Sequence, residues 1–170
     1  VKTLIVYFSK FGNTRKVAEA IAETMGQAGE ARTVGIDRLA PSDFDAIDLV
    51  IVGSPTHAFS VPQEVRAVLN ELPLAILGGK SVAAFDTTVR PWPLRYLRAA
   101  PKLLGHLTGL GGTPVARPQT FFVQTKNPQK SGEINLLLDG ELDRARQWAG
   151  TILRQVRPSS ASNASRIRHC

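Results

Sequence analysis

Residues 5–21 read IVYFSKFGNTRKVAEAI. An apolar, β-branched and aromatic run from Leu4 to Phe8 stops at Ser9-Lys10-Phe11-Gly12-Asn13-Thr14. A helical pattern then starts at once, with Val17, Ala18, Ile21 and Ala22 on one face. A buried strand that feeds a short hydroxyl- and glycine-bearing loop, which in turn opens a helix, is a device for holding phosphate. The helix start offers unpaired N–H groups and the positive end of its dipole. Ser9 and Thr14 add hydroxyl donors, and Gly12 lets the backbone approach an anion closely. An ordinary strand–turn–helix capped by Asn13 or Thr14 uses the same residue types. The loops further along the chain therefore decide between the two readings.

Outward from this stretch, strands and helices alternate. Lys2–Ser9 reads as strand 1 and Thr14–Met25 as helix 1, which Gly26 and Gly29 terminate. Ala31–Ile36 is a short strand 2, and Ala46–Gly53 is a continuous apolar strand 3 of the kind buried on both faces. Pro62 stands at an expected first helical position before Val65, Val68 and Leu69. Gly78-Gly79 turns the chain into strand 4, Ser81–Asp86. Leu94–Leu110 is helical in pattern, with Pro101 expected to kink or divide it. Pro114–Val123 reads as strand 5 and Gly140–Val156 as the last helix, whose Trp148 is expected in the core. Gln124–Leu138 is open between a β-rich insertion and a plain loop. Five strands joined by crossovers make a parallel sheet with helices on both faces, an α/β fold.

The opening segment resembles the flavodoxin signature. Ile5, Val6 and Tyr7 match its apolar-apolar-aromatic start, Ser9 its hydroxyl, Gly12 its small residue, Thr14 its threonine, and Ala18 and Ile21 its helical positions. The resemblance implies a flavodoxin-like three-layer sandwich with a five-stranded parallel sheet of order 2-1-3-4-5, and FMN as the cofactor. It places the FMN phosphate on Ser9, Lys10, Phe11, Gly12, Asn13 and Thr14. In open α/β sheets, ligands bind outside the carboxyl ends of strands where the strand order reverses, so the loops after strands 3 and 4 are the other two candidates. Ser54-Pro55-Thr56-His57-Ala58-Phe59-Ser60 is similar to the loop that wraps the isoalloxazine ring in this family, and implies Pro55, Thr56, His57, Ala58 and Phe59 as cofactor contacts. The third loop contributes Asp86, Thr87, Thr88, Val89 and Trp92. A flavin needs flat or apolar groups on its two faces; Phe59 and Trp92 are the expected pair, with His57 or Pro55 as substitutes. Relatives often carry a tryptophan in the second loop and a tyrosine in the third, and this chain has neither there.

Other motifs fail on spacing. Gly79-Lys80-Ser81 mimics the end of a nucleotide-binding loop, but the first glycine of that motif would fall on Leu74, and a strand follows rather than a helix. Ser54 and His57 lack the glycine-flanked turn of a hydrolase nucleophile. His57, His106 and His169 are too scattered to suggest a metal site. No catalytic residue and no metal ligand is expected.

The chain has 170 residues, the size of one ordinary domain with a real core. Residues 1–156 are expected to form that domain and residues 157–170 a basic, disordered tail. No apolar run approaches the roughly 18 residues of a membrane helix, and no export signal is apparent. Cys170, the single cysteine, excludes an internal disulfide and a cysteine-based cluster. A cytoplasmic setting is the expectation. The formal charge is +7. Arg154, Arg157, Arg166 and Arg168 crowd the C-terminal stretch without an acid, and from Lys80 to Lys130 Asp86 is the only acid among the basic residues. Such a basic half suits an acidic partner, whereas no aromatic-interleaved basic stripe points to nucleic acid. Three functions follow. The first is an FMN-binding electron carrier serving a redox protein partner, acidic in character, or a small-molecule acceptor, as a monomer or homodimer. The second is an FMN-dependent oxidoreductase acting on a quinone or a porphyrinogen-like substrate. The third is an anion-binding interaction module without flavin.

Overall fold

β1 (Lys2–Tyr7) is the spine of the sheet, paired in parallel with β2 (Glu30–Gly35) on one side and β3 (Leu49–Pro55) on the other. The computed structural model of the chain describes residues 1–57, 60–89, 98–125 and 135–156. β4 (Ser81–Val89) lies beyond β3, again parallel, with Leu49 opposite Ser81 and Gly53 opposite Phe85. The first four strands thus stand in the order 2-1-3-4.

The fifth strand departs from the reading of a single run over Pro114–Val123. It is divided into β5 (Thr113–Pro114), alongside Ser81 and Val82, and β6 (Gln119–Thr125), alongside Phe85 to Val89. Pro114 and Pro118 bracket the gap; neither carries an N–H to donate to a ladder. β7 (Asn135–Leu137) then pairs antiparallel with β6, so the sheet has seven strands rather than five and is mostly parallel. The tail from residue 157 and most of the unread stretch after Gln124 lie outside the described residues.

Both faces of the sheet are covered. Along the fully buried central strands, alternate residues face opposite layers. Leu4, Val6, Val50, Val52, Val82 and Ala84 pack with α2 (Gln63–Glu71) and α3 (Ala99–Gly109). Ile5, Leu49, Ile51, Ala83 and Phe85 pack with α1 (Asn13–Gly26) and α4 (Glu141–Gln155). Two expectations about proline are corrected. Pro62 stands just before α2, with ψ of 146°, and not as its first residue. Pro101 is the third residue of α3, inside the first turn, where the N–H it lacks has no intrahelical acceptor; no kink is needed there. Among the described residues no helix is long and apolar enough to cross a membrane.

The α1/α4 layer is held to the sheet by three aromatic rings. Phe85, Phe121 and Trp148 meet pairwise edge-to-face, with centroids 5.9 to 6.2 Å apart, the arrangement that ring quadrupoles favour. Phe85 and Phe121 are fully buried. Replacing Phe121 with alanine is expected to lower the unfolding free energy by about 3–5 kcal/mol, measured by urea denaturation, and Phe121→Leu by clearly less.

Candidate functional site

The carboxyl ends of β1, β3 and β4 lie on one edge of the sheet; where β1 ends, Tyr7 stands opposite Gly53 and Gly53 opposite Phe85, and β3 and β4 run on to Pro55 and Val89. The segments that leave this edge enclose a cleft of about 210 Å³. Ser9, Lys10, Phe11, Asn13 and Thr14 line it from the β1–α1 loop and the start of α1. Pro55, Thr56 and His57 line it from the end of β3, and Thr87, Thr88 and Val89 from the end of β4. Three separate candidate loops of the sequence are therefore one site in space. Ala58, Phe59 and Trp92 lie outside the described residues.

The first loop is built to receive an anion. Gly12 takes φ of 85°, a left-handed conformation that suits glycine, and turns the chain into α1. Gly12 at the N-cap of α1 brings no side-chain cap, and no acidic residue stands in its first turn. The Oγ of Ser9 is buried and has no hydrogen-bond partner among the described residues. A buried hydroxyl without a partner costs about 1–3 kcal/mol, and it lies beside a helix start that favours negative charge. These groups fit a phosphate. Lys10 adds a cation at the rim, loosely paired with Glu64 at 4.0 Å.

Thr56 joins the second loop to its surroundings. Its N–H donates to the Thr87 carbonyl at 2.9 Å. Its Oγ1 accepts the Ala99 N–H of α3 at 3.0 Å and donates to Asp86 Oδ2 at 3.1 Å. His57 and Ser60 exchange both backbone hydrogen bonds, at 2.9 and 2.8 Å, which closes the loop tightly. Two large apolar side chains stand exposed in the cleft wall, Phe11 at 60% and Val89 at 47%.

Asp86 does not line the cleft. Alternation along β4 continues from Ala84 and turns it towards α3, where it is fully buried. Its Oδ2 accepts the Ala100 N–H at 2.9 Å, so it caps the first turn of α3 from the sheet. Its Oδ1 is buried without a hydrogen bond among the described residues. Val123 of β6 completes the cleft wall and was not among the expected residues, because its place in the sequence is a strand and not a loop. The β-branched run TFFV carried a strand signal only.

Comparison with known proteins agrees with this geometry. The family model described as flavodoxin matches residues 5–148. The chain belongs to the flavodoxin family. A flavodoxin from Clostridium saccharobutylicum is 27% identical over 150 residues, covering 83% of this chain and 94% of that protein. Oxidised flavodoxin 1 from Bacillus cereus superposes with a TM-score of 0.70 at 18% identity, over 92% of this chain and 100% of the other. Rubredoxin oxygen:oxidoreductase from Desulfovibrio gigas gives a TM-score of 0.69 at 22% identity, over 90% of this chain but 35% of that larger protein. As a flavodoxin, the chain is an FMN-binding electron carrier that serves redox partners.

Burial pushes the Asp86 carboxyl above the usual carboxylate range. The Ala100 N–H, the Thr120 and Thr56 hydroxyls and the Arg98 charge oppose that shift without cancelling it. A raised folded-state pKa means that Asp86 contributes its full stability below the ordinary carboxylate value, and that this is lost as pH rises through the raised value. Asp86→Asn keeps an acceptor for Ala100 and Thr56 but carries no charge. The variant is expected to gain stability relative to the wild type from about pH 4 upward, with the difference constant once the carboxyl is ionised. Urea midpoints across a pH series measure this, and a pH-independent difference would contradict it.

Proposed function

We propose that FMN occupies this cleft, with its phosphate on the Ser9–Thr14 loop and its isoalloxazine ring between the end of β3 and the end of β4, and that the electrons pass to an acidic redox protein. The observation that carries the placement is the joining of two unlike surfaces in one cleft. The cleft is lined by Ser9, whose hydroxyl has no partner among the described residues, and by the first turn of α1; it is also lined by the exposed apolar groups Phe11 and Val89. A phosphate needs the first and a flat ring needs the second. When bound, FMN supplies the electron-carrying chemistry.

The chain's own residues bind and orient. Gly12, Asn13 and Thr14 present the start of α1, Ser9 and Thr14 offer hydroxyls, and Lys10 offers charge. Pro55, Thr56 and His57 stand beside the ring, with Thr88 and Val89 across from it and Thr87 behind Thr14, and Ala58 is proposed as a further contact of the ring. Phe59 and Trp92 are proposed for the two ring faces. Asp86 supports Thr56 from behind and does not touch the ring itself. The acidic partner is argued from the excess of basic residues between positions 80 and 130. Lys80, Arg98, Lys102 and Arg117 belong to it among the described residues, and Arg90, Arg95, Lys126 and Lys130 add to it in sequence.

Thr14→Leu removes a hydroxyl and fills the phosphate loop. It is expected to weaken FMN binding by about tenfold or more, since a hydrogen bond to a charged group is worth about 1.5–3 kcal/mol. Titration of the apo-protein by flavin fluorescence measures this, and unchanged affinity would sink the placement. Electron transfer to an acidic protein is expected to slow steeply between about 0.01 and 0.5 M salt as the Debye length shrinks. A salt-independent rate in stopped-flow measurements would point instead to a small-molecule acceptor.

A further inference from the structure

Two hydroxyls from distant parts of the chain meet inside the cleft. Thr14 Oγ1, in the first turn of α1, and Thr87 Oγ1, near the end of β4, are 2.8 Å apart. Both residues are buried, at 2% and 4% exposure, and both line the cleft. Either oxygen is able to donate to the other. Alternation along β4 explains the meeting, because it turns Asp86 to α3 and Thr87 to α1.

We propose that Thr87 is a positioning residue that makes the site prefer a phosphorylated flavin, by donating its hydroxyl proton to Thr14 so that the Thr14 proton points at the phosphate. This rests on the placement of FMN proposed above. Two hydroxyls in contact share one proton and leave the other for a third group. A phosphate dianion accepts and has no proton to give back. Thr14 stands in the first turn of α1, whose positive dipole end favours an anion, and Ser9, whose Oγ has no partner among the described residues, lines the same cleft, so the negative charge is placed beside Thr14. It draws the proton chain in one direction, from Thr87 to Thr14 to the anion. A charged acceptor strengthens the terminal bond, and each hydroxyl in the chain polarises the next. Thr14 by itself would have three staggered settings for its proton. Thr87 removes that choice, and it does so without touching the ligand.

The apo-protein titrated with FMN and with riboflavin, which lacks the phosphate, separates this role from others. Thr87→Val keeps the shape and loses the hydroxyl. It is expected to weaken FMN about fivefold while riboflavin affinity stays within about twofold, and Thr87→Ser is expected to restore FMN affinity to within about twofold. In a Thr14→Val background, Thr87→Val is expected to cost nothing further, because the chain it feeds is already broken. Should Thr87→Val fail to fold by circular dichroism, Thr87→Ala takes its place in the same series. Equal losses for both flavins, an unchanged FMN affinity, or additive losses in the double variant would each overturn the inference. A wild type that binds riboflavin as tightly as FMN would overturn the phosphate placement itself, and this role with it.

Discussion

Gly53 and Phe85 face each other across β3 and β4, and a side chain on Gly53 would run into the Phe85 ring. The missing Cβ leaves room for that ring, which meets Phe121 and Trp148 in edge-to-face pairs. The α1/α4 layer closes over this cluster. In the same rank of the sheet, Tyr7 stands opposite Gly53. This level of the core is therefore also the one at which the β1–α1 loop departs, with β3 and β4 running two and four residues further. The aromatic packing below fixes the height and tilt of the loops above. A shift of β4 by one residue would exchange the faces of Asp86 and Thr87 as well as that of Phe85.

That coupling explains why polar residues are tolerated in the last part of β4. Asp86 and Thr87 are almost completely buried, where unpaired polar groups are costly. Each is matched by a helix start on its own face. Asp86 takes an N–H from the first turn of α3, and Thr87 meets the hydroxyl of Thr14 in the first turn of α1. The strand end thus ties the two helical layers together across the sheet through hydrogen bonds, where apolar contacts give way to the cleft. Thr56 adds a second tie, holding the end of β3 to α3 and to Asp86 at once.

The β1–α1 unit was legible because its signals are local. A buried strand, a left-handed glycine and an amphipathic helix all fall within about two dozen residues, and the helix face begins where the loop ends. The parallel sheet covered on both faces was legible from the alternation of strands and helices, whereas the order of its central strands came from the resemblance. The end of strand 4 was not legible. Asp86-Thr87-Thr88-Val89 reads as a loop by its polarity, but ladder pairing with Ser54, Pro55 and β6 extends the strand to Val89. That pairing lies outside any local window, and it alone decides that Asp86 turns inward. The divided fifth strand is a similar case: Pro114 and Pro118 are visible, but which ladder positions they interrupt depends on the partner strand. The hydrogen bonds of Thr56 span 30 and 43 residues, which no spacing rule reaches.

The site holds back part of its bonding capacity. Ser9 Oγ is without a partner among the described residues, and Gly12 at the N-cap of α1 brings no side chain, whereas Asp86 caps α3 from the sheet at the same end of the molecule. Capping α1 would stabilise the free protein by about 0.5–2 kcal/mol, but the cap would occupy the groups an anion needs. The core provides the stability that permits this: two layers of buried aliphatic and aromatic side chains enclose the sheet independently of the cleft. Ligand binding then recovers what the loop leaves unused, by RT ln(1 + [L]/Kd). The difference between α1 and α3 is therefore a division of labour between two helix starts on one sheet edge. One takes a buried carboxylate from the sheet, and the other opens from a left-handed glycine onto the cleft.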